Sequence, residues 1–368
     1  MGQHSYRLLA INFGGIGDEI LFLPTLQTIK QSYPNWHITL LLEPRSKAVA
    51  QVTDLVDAVV EFDIKKRPLL SRDLVELLGI LRDGNYDCVL SSGSSPMVAC
   101  LLFLSGIPER IGYDSGPLAR LLLTRTAPLK REQYAADMYH DLVQGLGLKP
   151  ERVLPVAVAR KENIDRMEEF LKGRSKKQAQ IRNQKRVIIH PGTSLLALQK
   201  GMVKTWPAES WVALLTRLAQ HEDLQVILAG GPDDKETIEK IMTALIKTPE
   251  ASKVVSAYGS TKSLADFAGL LKISDLLDCV DSAPMHLAVA LGIPVVSMFG
   301  PTDPQKLLPE DERFKALRSQ PSPDANGKFS LRQSTGRGVL LPPDIVYQTA
   351  LDQLNRSKDQ AHSLESLR

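Results

Sequence analysis

The stretch LLAINFGGIGDEILFLPTLQTIK, residues 8–30, runs from an apolar strand through a glycine-rich turn into a helix. That order opens a doubly wound α/β domain, where bare N–H groups at the helix start favour an anion. Here two acids, Asp18 and Glu19, stand where a phosphate would sit. Gly14-Gly15-Ile16-Gly17-Asp18 also departs from the GxGxxG fingerprint of dinucleotide-binding turns. Small residues still let a ligand approach the backbone closely. An acid at a helix start is equally what plain capping produces, worth about 1 kcal/mol. On this stretch alone Asp18 therefore has two readings, a cap or an acid placed for chemistry. Pro24 predicts that the regular helix begins near that residue.

Outward from this unit, short apolar runs alternate with helical patterns, which predicts parallel sheets covered by helices on both faces. The first half offers strands at Leu8–Asn12, His37–Leu42, Ala58–Glu61, Cys88–Leu90 and Arg110–Gly112. The second half offers Arg186–His190, Gln225–Ala229, Lys253–Ser256, Leu276–Val280 and Pro294–Phe299, with helices such as Ala208–Gln220 and Lys262–Leu271 between them. RVIIHPGTS, 186–194, restarts the plan of the first half, a strand entering a glycine turn. The 368 residues suit two doubly wound, Rossmann-like domains facing a cleft, with ligands beyond the carboxyl ends of the strands. Residues 160–186 hold ten Lys or Arg against four Asp or Glu, read as a solvated helix and linker or as a segment drawn to an anionic surface. Residues 318–338 are rich in Ser, Pro and Gly and read as a loop; a helix follows in PPDIVYQTALDQL, and the tail from Asn355 is expected to fray.

Composition narrows the function. A net charge of +3 and 5% aromatic residues argue against nucleic acid as a partner. Three separated cysteines in apolar contexts, with no CxxC pair, read as reduced core residues of a cytosolic protein. MGQHSYRLLAINF, 1–13, has no long apolar run before the first glycines, so no signal peptide is expected. MVACLLFLSGI, 97–107, is the strongest membrane candidate, yet far short of the roughly 20 residues a span requires. DxD, HExxH, Walker A and GxSxG patterns are all absent.

Three further blocks carry chemistry. HPGTS, 190–194, with VKTWP, 203–207, offers backbone and hydroxyl donors plus the charge of Lys204 to an oxyanion, or else is an ordinary turn beside a core Trp. LAGGPDDKE, 228–236, reads as a nucleotide-holding turn or as turn chemistry with dipole-favourable acids. DCVDSAPMHLAVALGIPVVSMFGPTDP, 278–304, sets Asp281, Ser282, His286 and Thr302 at two strand ends near one rim.

Together these blocks, with PNWHITLLLEPR and IPERIGY, resemble glycosyltransferase family 9, the ADP-heptose:lipopolysaccharide heptosyltransferase-like family, in the family's own order. The resemblance implies a GT-B fold. Residues 1–160 would then receive the acceptor, 161–185 form a basic linker or helix, and 186–341 hold the sugar nucleotide. A helix at 342–356 would return to the first domain ahead of a polar tail, 357–368. The implied activity is metal-independent, inverting transfer of a heptose or similar sugar from a nucleoside-diphosphate sugar to a lipopolysaccharide-core or other surface-glycan acceptor. Asp18 falls on the family's base and Lys204 on the lysine that neutralises donor phosphate. Donor contacts fall on Thr193, Ser194, Lys204, Gly231, Asp281, Ser282, His286 and Thr302; acceptor contacts on Gly15, Gly17, Lys65, Lys66, Arg67 and Arg120. No cofactor, metal or nucleic acid is expected, and the implied protein is a cytoplasmic monomer, peripheral on the inner face of the membrane. The family's glycine after Asp-Ser is Ala283 here, and the ribose-contacting acid is Asp233 or Asp234. A sugar-nucleotide epimerase and a non-catalytic sugar-nucleotide sensor are the competing readings.

Overall fold

The computed structural model describes residues 6–66, 70–174, 184–199, 202, 204–319 and 339–365. The chain forms two compact units, Met1–Val158 and Ala159–Arg368.

The first unit follows the order β1 (Arg7–Ile11), α1 (Ile16–Ser32), β2 (His37–Leu42), β3 (Ala58–Glu61), α2 (Ser71–Asp83), β4 (Cys88–Ser91) and α3 (Pro96–Ser105). It continues with β5 (Glu109–Tyr113), α4 (Pro117–Leu122), β6 (Arg125–Ala127) and α5 (Ala135–His140). Its strands pair in parallel in the order β3-β2-β1-β4-β5-β6. Leu8, Leu9, Val89 and Leu90 are fully buried, as strands covered on both faces must be. Ala99, Leu102, Leu77, Leu81, Ala119 and Leu123 join Leu9 and Ile11 in one core, so α2, α3 and α4 cover a single face of the sheet. The chain leaves β1 toward β2 and returns to β4 on the other side. The carboxyl ends of β1 and β4 thus flank the point where strand order reverses, the place for a ligand in such sheets.

The second unit repeats the plan. It runs α6 (Lys161–Arg174), β7 (Lys185–His190), α7 (Leu195–Gln199), α8 (Ala208–Leu218), β8 (Leu224–Leu228), α9 (Lys235–Leu245), β9 (Val254–Ser256) and α10 (Leu264–Lys272). Then come β10 (Leu276–Val280), α11 (Ala283–Leu291), β11 (Val295–Phe299), α12 (Pro304–Leu307), β12 (Phe314–Arg318) and α13 (Pro343–Glu365). The parallel sheet reads β12-β11-β10-β7-β8-β9, with its reversal between β7 and β10.

Several expectations change. Pro24 does not start the first helix; it lies inside α1, which begins at Ile16. Burial of every residue from Glu19 to Leu26 outweighs the roughly 3 kcal/mol of an interior proline. The basic stretch opens as α6, which packs on α10. Asn163 Nδ2 donates to Asp266 Oδ1 at 2.8 Å and Arg166 Nη1 reaches the same oxygen at 2.6 Å. A Cβ at Gly269 would lie 2.6 Å from the Asn163 backbone, so glycine is what lets these helices approach. Edge strands β6 and β12 were not expected from the sequence. α13 places Val346, Ala350 and Leu354 in the core of its own unit and runs on to Glu365, past the point where fraying was expected. Arg67, residues 175–183 and residues 320–338 of the expected loop lie outside the described residues.

Candidate active site

At the first unit's reversal point the loop 12–15 joins β1 to α1. Asp18 Oδ2 accepts from the Gly15 backbone N–H at 2.8 Å, so the acid does cap its helix. Its Oδ1 faces the Tyr139 hydroxyl at 3.4 Å, and the side chain remains partly exposed. A Cβ on Gly14 would fall 2.2 Å from Asp18 Cβ, so only glycine leaves room for that carboxylate. Gly17 sits in the first turn of α1. Ser92, at the end of β4, donates to Asn12 Oδ1, and Ser46 Oγ donates to the Gly14 carbonyl at 2.8 Å. The loop is thereby fixed from both sides.

Behind it Glu19 is 1% exposed. Its Oε1 accepts from Gly14 N at 3.3 Å, while Oε2 has no hydrogen-bond partner among the described residues. Burial pushes its pKa well above the usual carboxylate range. Burial and the nearby Asp18 likewise push the Tyr139 phenol up.

Buried Glu43 organises two cations beside the loop. Arg45 Nε lies 2.6 Å from Glu43 Oε2 and Lys65 Nζ lies 2.7 Å from Glu43 Oε1. Lys65 Nζ also donates to the Phe13 carbonyl at 3.3 Å, and the Arg45 guanidinium lies 3.9 Å from where a Gly15 Cβ would be. Of the basic residues expected at the acceptor side, Lys65 is thus held at the glycine loop. Lys66 pairs with Asp73 at the head of α2 (3.1 Å), and Arg120 pairs with Asp114 at 2.8 Å.

At the second unit's reversal point, β7 ends in His190-Pro191-Gly192-Thr193-Ser194 and β10 ends at Asp281-Ser282. Lys204 Nζ lies 2.7 Å from Asp281 Oδ2, and Thr302 Oγ1 donates to the same oxygen at 2.6 Å. Asp281 is 2% exposed, so its charge is matched by Lys204 and further satisfied by Thr302. An ammonium has three N–H donors, which leaves Lys204 capacity beyond Asp281. Thr193 is buried. The Ser194 hydroxyl accepts from Ala197 N at 3.2 Å, capping α7.

Ser282 precedes α11 and donates to the Val280 carbonyl at 3.2 Å. Ala283 opens α11, and the one non-glycine residue with positive φ among those described is Asn85. Alanine therefore stands at this position without backbone strain. His286 follows within that helix and is 6% exposed.

The two acids after Gly231 have different jobs. Asp234 is buried, and its Oδ2 accepts from Gly231 N at 2.7 Å and lies 3.6 Å from His190 Nε2. A Cβ on Gly192 would lie 1.6 Å from Asp234 Oδ1, so Gly192 makes way for that carboxyl. Burial raises the Asp234 pKa and lowers that of His190, leaving a neutral imidazole at neutral pH. Exposed Asp233 accepts from Leu195 N at 3.1 Å through Oδ2, tying the GGPDD turn to the HPGTS turn. Of the two, Asp233 is the one a ligand can reach.

Among the described residues no group of three or more His, Cys, Asp or Glu is placed to hold a metal ion, and no helix is long and apolar enough to cross a membrane. A family model described as glycosyltransferase family 9 (heptosyltransferase) matches residues 75–331. The chain belongs to glycosyltransferase family 9. It is a glycosyltransferase of the heptosyltransferase type. Lipopolysaccharide heptosyltransferase 3 of Escherichia coli (strain K12) is 24% identical over 295 residues, 78% of this chain and 80% of that protein. The crystal structure of the glycosyl transferase family 9 from Veillonella parvula DSM 2008 superposes with a TM-score of 0.74 at 21% identity, covering 95% of this chain and 97% of that one. The E. coli heptosyltransferase WaaC with ADP gives a TM-score of 0.67 at 19% identity, covering 94% and 99%. The two α/β units of this family 9 glycosyltransferase are those of the GT-B fold.

Proposed function

We propose that this family 9 glycosyltransferase moves a heptose or closely related sugar from a nucleoside-diphosphate sugar to a lipopolysaccharide-core or similar surface-glycan acceptor, with inversion and without a metal. The observation that carries this reading is Lys204 held at 2.7 Å by buried Asp281 at the second unit's reversal point. A fixed cation at strand carboxyl ends suits a diphosphate leaving group. ADP is the ligand named with the E. coli heptosyltransferase WaaC, and it is the first nucleotide to try here.

In the reaction an acceptor hydroxyl attacks the donor's anomeric carbon while Asp18 takes its proton. The new C–O bond forms as the bond to the diphosphate breaks, and the nucleoside diphosphate leaves with that electron pair. One displacement inverts the anomeric centre. Asp18 suits the base role because Gly14 leaves its carboxylate room and Tyr139 lies beside Oδ1. Lys204 balances the charge that develops on the diphosphate, with Asp281 and Thr302 setting its position. Thr193, Ser282 and His286 supply further donors; Gly231 lets the backbone come close, and Asp233 accepts from a ribose hydroxyl. Lys65 and Arg45, oriented by Glu43, face anionic groups of the acceptor. We further place the enzyme in the cytoplasm, peripheral on the membrane that carries its acceptor.

The test is product analysis with ADP-, GDP- and UDP-sugars and a heptose-deficient lipopolysaccharide core, in excess EDTA. The expected product is the core extended by one sugar of inverted anomeric configuration. Recovery of only a stereoisomer of the donor, or activity lost in EDTA and restored by Mg²⁺ or Mn²⁺, would contradict the proposal.

A further inference from the structure

The proposed reaction uses Asp18 and leaves the next residue, Glu19, without a task. Glutamate is almost never fully buried unless it is paired. Glu19 nevertheless turns inward at the start of the run of α1 buried from Glu19 to Leu26. Its Oε2 has no hydrogen-bond partner among the described residues, and the cations beside the loop, Arg45 and Lys65, are both taken by Glu43. Burial, and after it the carboxylates of Asp18 and Glu43, disfavour a charge on Glu19, which is therefore placed as a neutral acid. A methionine would fill a similar space with no polar group to bury, so packing alone gives no reason for an acid here.

What the carboxyl does touch is the backbone of the glycine loop. Oε1 accepts from the Gly14 N–H at 3.3 Å, and Ser46 Oγ, on a fully buried side chain, donates to the Gly14 carbonyl at 2.8 Å. Gly14 is thus gripped at both of its polar atoms. The Asp18 side chain fills the space a Gly14 Cβ would need, 2.2 Å from Asp18 Cβ, and the next N–H, that of Gly15, holds Asp18 Oδ2 at 2.8 Å. From the strand side Asn12 Nδ2 donates to the Asp18 carbonyl at 3.3 Å. A shift of Gly14 therefore moves both the wall against which Asp18 stands and the donor that aims its carboxylate.

We propose that Glu19 is a positioning residue for sugar transfer, holding the Gly14 N–H and so fixing the loop that aims the Asp18 carboxylate at the acceptor hydroxyl. This deepens the reading of Asp18 as the base and rests on it. Two variants of the full chain test it. Glu19→Gln keeps an acceptor oxygen for Gly14 and carries no charge, whereas Glu19→Met keeps the length and removes the acceptor. Hydrogen exchange in the peptide that spans the glycine loop needs no substrate, and it should quicken in Glu19→Met but not in Glu19→Gln. With ADP-heptose and a heptose-deficient lipopolysaccharide core, Glu19→Met is expected to lower kcat about 10- to 100-fold, the scale of a small misplacement of a reacting group. Its donor KM and ADP affinity should stay close to wild type, and Glu19→Gln should restore turnover. In an Asp18→Asn background the same Glu19→Met change should cost little more, because a carboxylate that is gone cannot be misaimed. Should Glu19→Met not fold, Ser46→Ala removes the opposite grip on Gly14 and is expected to lower kcat in the same way. Loop exchange or turnover unchanged in Glu19→Met, Glu19→Gln as slow as Glu19→Met, or the same loss from Glu19→Met with and without Asp18 would overturn the proposal while leaving Asp18 as the base. Wild-type turnover in Asp18→Asn would instead remove the base, and the role of Glu19 with it.

Discussion

The two units place their loops at the same point of the same sheet plan, yet furnish them with opposite chemistry. The first puts a carboxylate, Asp18, at the head of a helix over Gly14, with a second carboxyl, Glu19, sealed behind it. The second puts a lysine there and uses a buried aspartate to hold it. A shared architecture therefore sets where a ligand goes, and a few side chains decide which charge the loop presents to it.

In the second unit, removing the cation should have the largest effect. Lys204→Met is expected to lower kcat/KM by about 10²–10³, the loss typical of one electrostatic donor to a developing anion. It also leaves Asp281 as an uncompensated buried charge, so its unfolding midpoint should fall. Lys204→Met/Asp281→Asn should regain stability and leave turnover low. Recovery of turnover in that double variant would mean that Lys204 is structural.

The grip on the donor should be less sensitive at a single position. His286→Ala is expected to weaken nucleoside-diphosphate binding about 10- to 150-fold, the loss of one hydrogen bond to a charged group. Calorimetry reads this directly. Wild-type affinity would take His286 out of the donor site.

The smallest effect concerns two buried carboxyls with unpartnered oxygens, Glu19 in the first unit and Asp278 in the second. Glu19 Oε2 and both oxygens of Asp278, in the middle of β10, have no hydrogen-bond partner among the described residues. Burial raises both pKa values well above the carboxylate range. Each group thus binds its proton more tightly folded than unfolded, and stability present below the ordinary carboxylate pKa is lost as pH rises through the raised value. Glu19→Gln and Asp278→Asn remove that loss. Each should be more stable than wild type at pH 7 by about 1–3 kcal/mol, with the gain shrinking toward pH 4. Denaturant melts across pH check this, and a gain independent of pH would refute the assignment to these groups.

Most strands were legible because a strand buried on both faces is an unbroken apolar run, as in HITLLL and VVSMF. The edge strands β6, RTA, and β12, FKALR, were not, since an edge position tolerates charge and shortness. Pro24 misled because local propensity yields to burial all around a helix. The loops of the site could be read from glycine, proline and hydroxyl residues at strand ends. The partnerships could not. Tyr139 reaches Asp18 across 121 residues and Asp281 reaches Lys204 across 77, and nothing local records either meeting. Arg45 and Glu43 lay within a recognised block, yet their junction with Lys65 exists only once β2 and β3 pair. Asp233 and Asp234 are alternatives in the sequence, and in the fold the first is exposed and the second buried.

The proposed division between a proton-accepting unit and a charge-balancing unit rests most directly on Asp18. Asn keeps an oxygen that can accept from Gly15 N–H, so Asp18→Asn preserves the cap while removing the base. Turnover with donor and acceptor, measured beside ADP affinity and the unfolding midpoint, should fall by about 10²–10⁴ with affinity and midpoint unchanged. Turnover that survives in Asp18→Asn would show that this carboxylate caps α1 and does nothing more.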